Sequence, residues 1–392
     1  MHSAIQQQPQ GPADVVVLGG GPVGAATARL LAADHRVVLV DAGEHLRAAH
    51  RAAGMLAPTS EFRTTEPEVH ALALDAMGRW PGEAAALETE TGIGLDLRTA
   101  GTLHVALGAD DLARTTHLAD AARAAGLEAA PLDRRSLRRA EPGLSRRVAG
   151  GVAVQGDHQV DPRRLVTALR ASCAARGVRL VDAAGRLADD GSVVLADGCT
   201  LRASVVVVCA GHRTDALLPG ALPPTGVRAV AGTVLRLHGT PTAPVPSHVL
   251  RGRVDDREVY LVPRTDGELV VGATSVERGT DERVPAGEVL DLLGDAAALY
   301  PGVREMHLAE ALSGHRPTLA TPGPLLREHT LPGSDGPVRV VLSTGHGRHG
   351  VLLCHRAAAA AAAAVRTSAP SVARTPPARW SPSVPSTLEE AS

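Results

Sequence analysis

The chain predicts an α/β protein of two domains, one Rossmann-like around a parallel sheet and one built on an antiparallel sheet with helices. Three observations carry this. At 392 residues the chain is longer than one ordinary core. Residues 15–43 read as strand, glycine turn, helix and second strand. From residue 226 to 275 the texture changes to alternating strands (AGTVLRLHG, EVYLVPR, GELVVGATS) separated by turns.

The opening unit is the most specific. An apolar run, residues 15–18, enters Gly19-Gly20-Gly21-Pro22-Val23-Gly24 and an Ala/Leu-rich helix; a second apolar run, residues 36–40, ends on Asp41. Gly19 permits the tight turn, Gly21 lets backbone approach a pyrophosphate, Gly24 allows close helix–strand packing, and Asp41 suits a ribose hydroxyl. This is a dinucleotide site, with FAD and NAD both open on these residues alone.

Charge is nearly balanced, 40 basic against 42 acidic residues, so nucleic acid is not an expected partner. Every basic residue is Arg, and the absence of Lys excludes Schiff-base chemistry. Cys173, Cys199, Cys209 and Cys354 show no C-x-x-C spacing and read as mostly buried thiols of a cytoplasmic protein. Residues 1–12 lack the features of an export signal, and no apolar span is long enough to cross a bilayer.

In chain order, residues 51–58 (RAAGMLAP) form a loop of small residues. Residues 66–90 form an amphipathic helix with Val69, Leu72, Leu74, Met77 and Trp80 on its apolar face. A strand at 101–107 and helices at 110–125 and 134–140 follow. Strand 151–155, helix 162–176 with Pro near its start, and strand 177–181 lead to two hairpin turns at Asp190-Gly191 and Asp197-Gly198 and the strand SVVVVCAG. Helix 286–299 contains Gly294-Asp295-Ala296-Ala297, which imitates the G-D-A-A-H signature of flavin hydroxylases but lacks its His and reads as packing. A Gly-rich loop at 344–350 then precedes an Ala-rich helix.

Taken together, GGGPVG, RAAGMLAP, VDP (160–162), VVVVCAG, VYLVPRTDGELVVGAT (259–274), GHRP (314–317) and GHGRHGVLL (345–353) resemble the FAD-dependent D-amino acid oxidase superfamily, in its glycine oxidase-like branch, over residues 14–365. The resemblance implies a glutathione-reductase-type FAD-binding domain from residues 13–85, 150–225 and 310–366. It implies a substrate domain from 86–149 and 226–309; outside it, the polar start at 1–12 and the Pro/Ser/Thr-rich tail at 367–392 read as disordered from their composition. It implies non-covalent FAD held by Gly19, Gly21, Gly24, Asp41, Ala53, Gly54, Met55, Gly211, backbone near Arg186, and the loop Gly345, His346, Gly347, Arg348, His349, Gly350, Val351 and Leu352. His50 lies one residue from a position that carries covalent flavin in some relatives.

The activity implied is oxidation of a C–N bond of an amino acid or N-substituted glycine to an imine, by hydride transfer to flavin. Electrons pass to O2 or another acceptor, and a homo-oligomer is compatible. Arg316 matches the arginine that clamps the substrate carboxylate, Tyr260 a substrate-side hydroxyl and Arg348 a further polar contact. The chain departs from the branch at Gly347, where an aromatic is usual, at His349, where Asn is usual, and at Glu258, where a His can line the pocket. These departures suggest a bulkier or cationic substrate, as for a tailoring enzyme of secondary metabolism. The histidines near Cys354 match no strong metal pattern, so no metal is expected. D-amino acid dehydrogenase, sarcosine oxidase-like enzyme and a non-enzymatic flavin subunit are the alternatives.

Overall fold

The computed structural model describes residues 13–43 and 47–367. The two ends expected to be disordered lie outside the described residues, apart from Thr367. One sheet has six strands in the order Leu325–Leu331, Val338–Thr344, Val205–Val208, Val15–Leu18, Val37–Asp41 and Arg179–Asp182. All neighbours are parallel except the edge strand Leu325–Leu331. The inner strands read as unbroken apolar runs because both faces are covered. Val15 and Val17 pack against helices Pro22–Leu31, Pro67–Thr91, Pro162–Ala175 and Cys354–Arg366, while Val16 and Leu18 face a three-stranded sheet that includes Leu187 and Val193. The alanine run of the last helix has a packing reason: Ala357, Ala358, Ala361 and Ala362 are buried in the same core as Ala25 and Ala28, where small side chains let helices approach closely.

The second sheet has eight strands in the order His307–Thr318, Arg228–His238, Glu268–Gly272, Arg257–Pro263, Val249–Val254, Thr102–Ala106, Gly150–Val154 and Ala130–Asp133. Only Val249–Val254 and Thr102–Ala106 run parallel. Side chains alternate between its faces. Leu103, Leu235, Leu250, Leu261 and Val271 form a core with Leu292, Ala296 and Leu299 of helix Ala286–Leu299. Across the other face the register aligns His104, Arg251, Tyr260, Gly272 and Val234 in one row.

Strands Gly150–Val154 and His307–Thr318 belong wholly to this sheet, so sheet membership changes after residues 154 and 318, whereas the sequence reading placed the changes at 150 and 310. Strands Ala130–Asp133, Val249–Val254 and Leu325–Leu331 were not legible as strands: each carries Pro, Gly or charged residues, and two lie at sheet edges. Leu74 is 39% exposed, so the apolar face of helix Pro67–Thr91 consists of Val69, Leu72, Met77 and Trp80 without it. The Gly294–Ala297 stretch is packing, as read: Asp295 is buried and accepts from Arg257 Nε (2.9 Å) and Nη2 (2.7 Å).

Candidate active site

A cleft of about 800 Å³ is lined by the carboxyl ends of the parallel strands and by the Tyr260 face of the eight-stranded sheet. At one end is the glycine turn. Gly19 has φ +110°, and a Cβ there would lie 2.5 Å from the Cys209 carbonyl oxygen. A Cβ on Gly24 would fall on the Gly19 carbonyl oxygen, so this glycine serves packing, whereas a Cβ on Gly21 would meet nothing within 4 Å. Open space over Gly21, at a helix start whose first-turn N–H groups lack intrahelical partners, suits a diphosphate. Asp41 is buried and accepts from Gly20 N–H (3.1 Å) and Arg47 Nε (2.8 Å). Its approach requires a glycine, because a Cβ on Gly20 would lie 2.7 Å from the Asp41 Cβ.

The middle of the cleft explains why distant motifs occur together. Strand Met55–Leu56 pairs with His158–Gln159, and Val160 N–H donates to Gly54 O (2.9 Å). A Cβ on Gly54 would fall on the Val160 carbonyl oxygen, so RAAG and VDP fit each other. Arg264, the last residue of VYLVPR and 2% exposed, donates to Gln159 Oε1 (2.9 Å) and to the Ala53 carbonyl. One buried guanidinium thus fixes the Ala53–Gly54–Met55 wall against the substrate sheet.

At the far end Tyr260 and Arg316 both line the cleft, and the guanidinium charge acts on the Tyr260 hydroxyl. Two glycines make room for them. A Cβ on Gly272 would lie 2.5 Å from the Tyr260 hydroxyl oxygen, and one on Gly232 would lie 2.6 Å from Arg316 Nη1. Arg316 Nη1 also donates to Thr274 O (3.2 Å). Burial raises the Tyr260 phenol above its ordinary value, keeping it a neutral donor.

Beside them is a charged cluster that sequence reasoning missed. The Glu61 carboxylate accepts from Arg251 Nη1 (2.7 Å) and lies 2.9 Å from Arg348 Nε; Arg348 also pairs with Glu66 (2.7 Å). Burial alone would raise Glu61, but Arg251, His349 and Arg348 hold it down at about 2. Burial depresses His104 to about 3, with Arg251 adding to the effect, and His349 to about 4, so both are neutral imidazoles. Ser60 Oγ and His104 Nε2 are 2.7 Å apart, and Asp157, which burial raises to about 6, accepts from Thr59 and Ser60 N–H. His346, in the turn beyond strand Val338–Thr344, is pushed down to about 4 by burial, and its Nε2 has no partner among the described residues.

The cleft brings together most of the residues singled out from the sequence: Gly19, Gly21, Asp41, Ala53, Gly54, Met55, Gly211, His346, Gly347, Arg348, His349, Gly350 and Val351, with Tyr260 and Arg316. Four others do not line it. Gly24 and Gly345 pack against Gly19 and Leu319, the Leu352 carbonyl accepts from Trp80 Nε1 (2.8 Å), and the cleft meets Ala183, Ala184 and Gly185 in place of the exposed Arg186. Glu258 also lines the cleft, with its side chain 70% exposed and 3.4 Å from Arg253. Arg348 faces the cleft already paired to two carboxylates. Of the residues missed, Arg264 lay inside a quoted motif; Glu61, His104 and Arg251 carried no motif and are joined only by strand register and a turn.

A nucleotide cradle at strand ends, facing a second sheet with an arginine and a tyrosine, is the arrangement of a dinucleotide-dependent enzyme. The family model of FAD dependent oxidoreductases, DAO, matches residues 14–364, and the chain belongs to that family, whose cofactor is FAD. It is 33% identical to the glycine oxidase of Geobacillus kaustophilus (strain HTA426) over 351 residues, which is 87% of this chain and 89% of that protein. It is 31% identical to the bifunctional protein ThiO/ThiG of Synechocystis sp. (strain ATCC 27184 / PCC 6803 / Kazusa) over 88% of this chain, which spans about half, 50%, of that protein. The crystal structure of glycine oxidase from Geobacillus kaustophilus superposes with a TM-score of 0.79 at 29% identity, covering 90% of this chain and 94% of that one. The protein is a glycine oxidase-like FAD oxidoreductase acting on CH–NH donors. No helix among the described residues is long and apolar enough to cross a membrane.

Proposed function

We propose that the chain oxidises glycine or an N-substituted glycine, with Arg316 holding the substrate carboxylate and Tyr260 bounding the same subsite. The observation that carries this is a difference among arginines. Arg47, Arg51, Arg251 and Arg348 line the cleft and each faces a carboxylate of the chain, whereas Arg316 has none within ion-pair distance among the described residues; Arg213, which lines the cleft and has none either, is exposed, while Arg316 is half-buried and acts on Tyr260. A buried-side guanidinium left with only a carbonyl acceptor is suited to take a carboxylate from the ligand.

FAD, when bound, supplies the hydride acceptor. The protein's part is orientation. Arg316 fixes the carboxylate, so the Cα–H of the amine faces the Ala53–Met55 wall and the 346–351 turn, which are the residues that would hold the isoalloxazine. An amine that enters unprotonated needs no protein base: hydride leaves Cα, the nitrogen lone pair completes the C=N bond of an iminium cation, and water hydrolyses that cation to the carbonyl product and an ammonium ion. Neutral His104 and His349 keep further positive charge away from that nitrogen. Gly347 puts no side chain into the cleft, and a Cβ there would meet nothing within 4 Å, leaving space for an N-substituent.

The test is an anaerobic titration of the purified holoprotein with glycine, sarcosine, D-alanine and bulkier N-substituted glycines, read from the flavin absorbance. Bleaching by one of them is expected, and recovery of the band on admitting air distinguishes O2 from another acceptor. A band that none of them changes, in a protein that co-purifies with another chain, would replace this reading with that of a flavin-binding subunit.

A further inference from the structure

Two guanidinia act on Tyr260 at the substrate end, and only one of them is without a carboxylate partner among the described residues. Arg251 lies in the same cross-sheet row as Tyr260 and lines the cleft; Tyr260 experiences the charge of both Arg316 and Arg251. Arg251 is taken up by Glu61, both side chains being about one-sixth exposed or less, at 15% and 16%. The second oxygen of Glu61 lies 2.9 Å from Arg348 Nε, and Arg348 is also paired to Glu66, so Arg251 and Arg348 share the Glu61 carboxylate while His104 and His349 stay neutral. The 55–61 segment that delivers Glu61 is itself fixed: Thr59 and Ser60 N–H bond to Asp157, and Ser60 Oγ bonds to His104.

We propose that Glu61 is a specificity-determining residue: by occupying Arg251 it leaves Arg316 as the single carboxylate anchor and restricts the site to amines with one carboxylate. This rests on the reading of Arg316 given above. A carboxylate built into the wall on the 55–61 turn fills the position a second substrate carboxylate would take. A dianionic amine must then either displace Glu61 or leave its second charge unpaired next to it, and both are unfavourable. Removing the charge of Glu61 frees the fork of Arg251 for a ligand anion, so the change in selectivity has a definite sign.

The probes are acetate and malonate, which cannot be oxidised here, titrated into the FAD-loaded protein and followed by calorimetry and by perturbation of the flavin spectrum. Wild type is expected to bind malonate no more tightly than acetate. In Glu61→Gln the malonate-to-acetate affinity ratio is expected to rise about tenfold or more, the worth of a charge-assisted hydrogen bond. Adding Arg251→Gln should abolish that gain. If Glu61→Gln does not fold, Glu61→Asp, whose shorter carboxylate retreats from Arg251, should shift the ratio in the same direction by less. A ratio equal to wild type, with both affinities falling together, would show a structural role only and overturn the inference, as would a gain that survives Arg251→Gln. Arg316→Met separates the two readings: if acetate binding does not depend on Arg316, the carboxylate anchor itself is wrong, whereas an Arg316-dependent site with an unchanged ratio refutes Glu61 alone.

Discussion

Replacing Gly232 by Ala tests the carboxylate anchor without removing an atom from it. The new Cβ would lie 2.6 Å from Arg316 Nη1, 2.7 Å from Nη2 and 2.9 Å from Cζ, about an ångström inside normal contact. The obstructed group is the far end of a flexible side chain, so the guanidinium swings away while the strand pairing of Arg228–His238 persists. Folding stability should therefore change by less than about 1 kcal/mol. A displaced fork keeps its charge and loses alignment, forfeiting at least one of two charge-assisted hydrogen bonds, each worth about 1.5–3 kcal/mol. This converts to a fall of about 10- to 150-fold in kcat/KM for whichever glycine derivative the wild type oxidises. The loss should appear first in KM, because the carboxylate is held equally in the ground and transition states. Steady-state kinetics, together with a thermal melt of the same sample, reads both quantities. A kcat/KM within about threefold of wild type in a stably folded Gly232→Ala protein would show that Arg316 does not hold the substrate.

Three further outcomes follow from the same geometry. Gly24→Ala places a Cβ on the Gly19 carbonyl oxygen, where backbone cannot yield as a side-chain tip can, and should cost about 1–3 kcal/mol in a denaturant titration; an unchanged midpoint would contradict that packing. Asp41→Ala leaves Arg47 without its carboxylate and removes the acceptor expected for the ribose, and should weaken FAD binding about tenfold or more in a fluorescence titration of the apoprotein. His346 has a folded-state pKa pushed down to about 4 by burial, below the value of an exposed histidine. Its neutral form thus stabilises the fold fully above about pH 6.5, and that contribution is lost as pH falls toward 4, by about 1.4 kcal/mol per pH unit. His346→Gln should flatten the loss of stability between pH 6.5 and 4, and an identical slope in wild type would refute the assignment.

The sequence was most legible where local chemistry and tertiary role coincide. Gly19, Gly24 and Asp41 are read from a short unit because strand, turn and helix leave their mark within thirty residues. Arg316 and Tyr260 were reached only by resemblance, since an arginine before a proline and a tyrosine in a strand look ordinary by themselves. Glu61, His104 and Arg251 could not be found that way: their meeting depends on a parallel pairing between residues 102–106 and 249–254 and on a turn, neither of which leaves a periodic pattern. Strand Val249–Val254 was missed for the same reason that it matters, because its cleft-facing positions carry Arg251 and Arg253 where an ordinary half-buried strand is apolar on its covered face. Glu258 was reached by resemblance too, at a position where a His can line the pocket; it lines the cleft with a largely exposed side chain paired to Arg253.

The alternation along the eight-stranded sheet has a consequence for how such an enzyme changes over time. Alternate positions on each strand answer to different demands: Leu103, Leu250, Val259 and Leu261 belong to the core under the helix, while His104, Arg251 and Tyr260 face the cleft. A substitution at a position of the second parity alters the repertoire of the catalyst and leaves its scaffold intact. Descendants of one fold can thus diverge in diet without passing through unstable ancestors, and a mutagenesis library confined to one parity of three adjacent strands would explore new substrates with most of its members still folded.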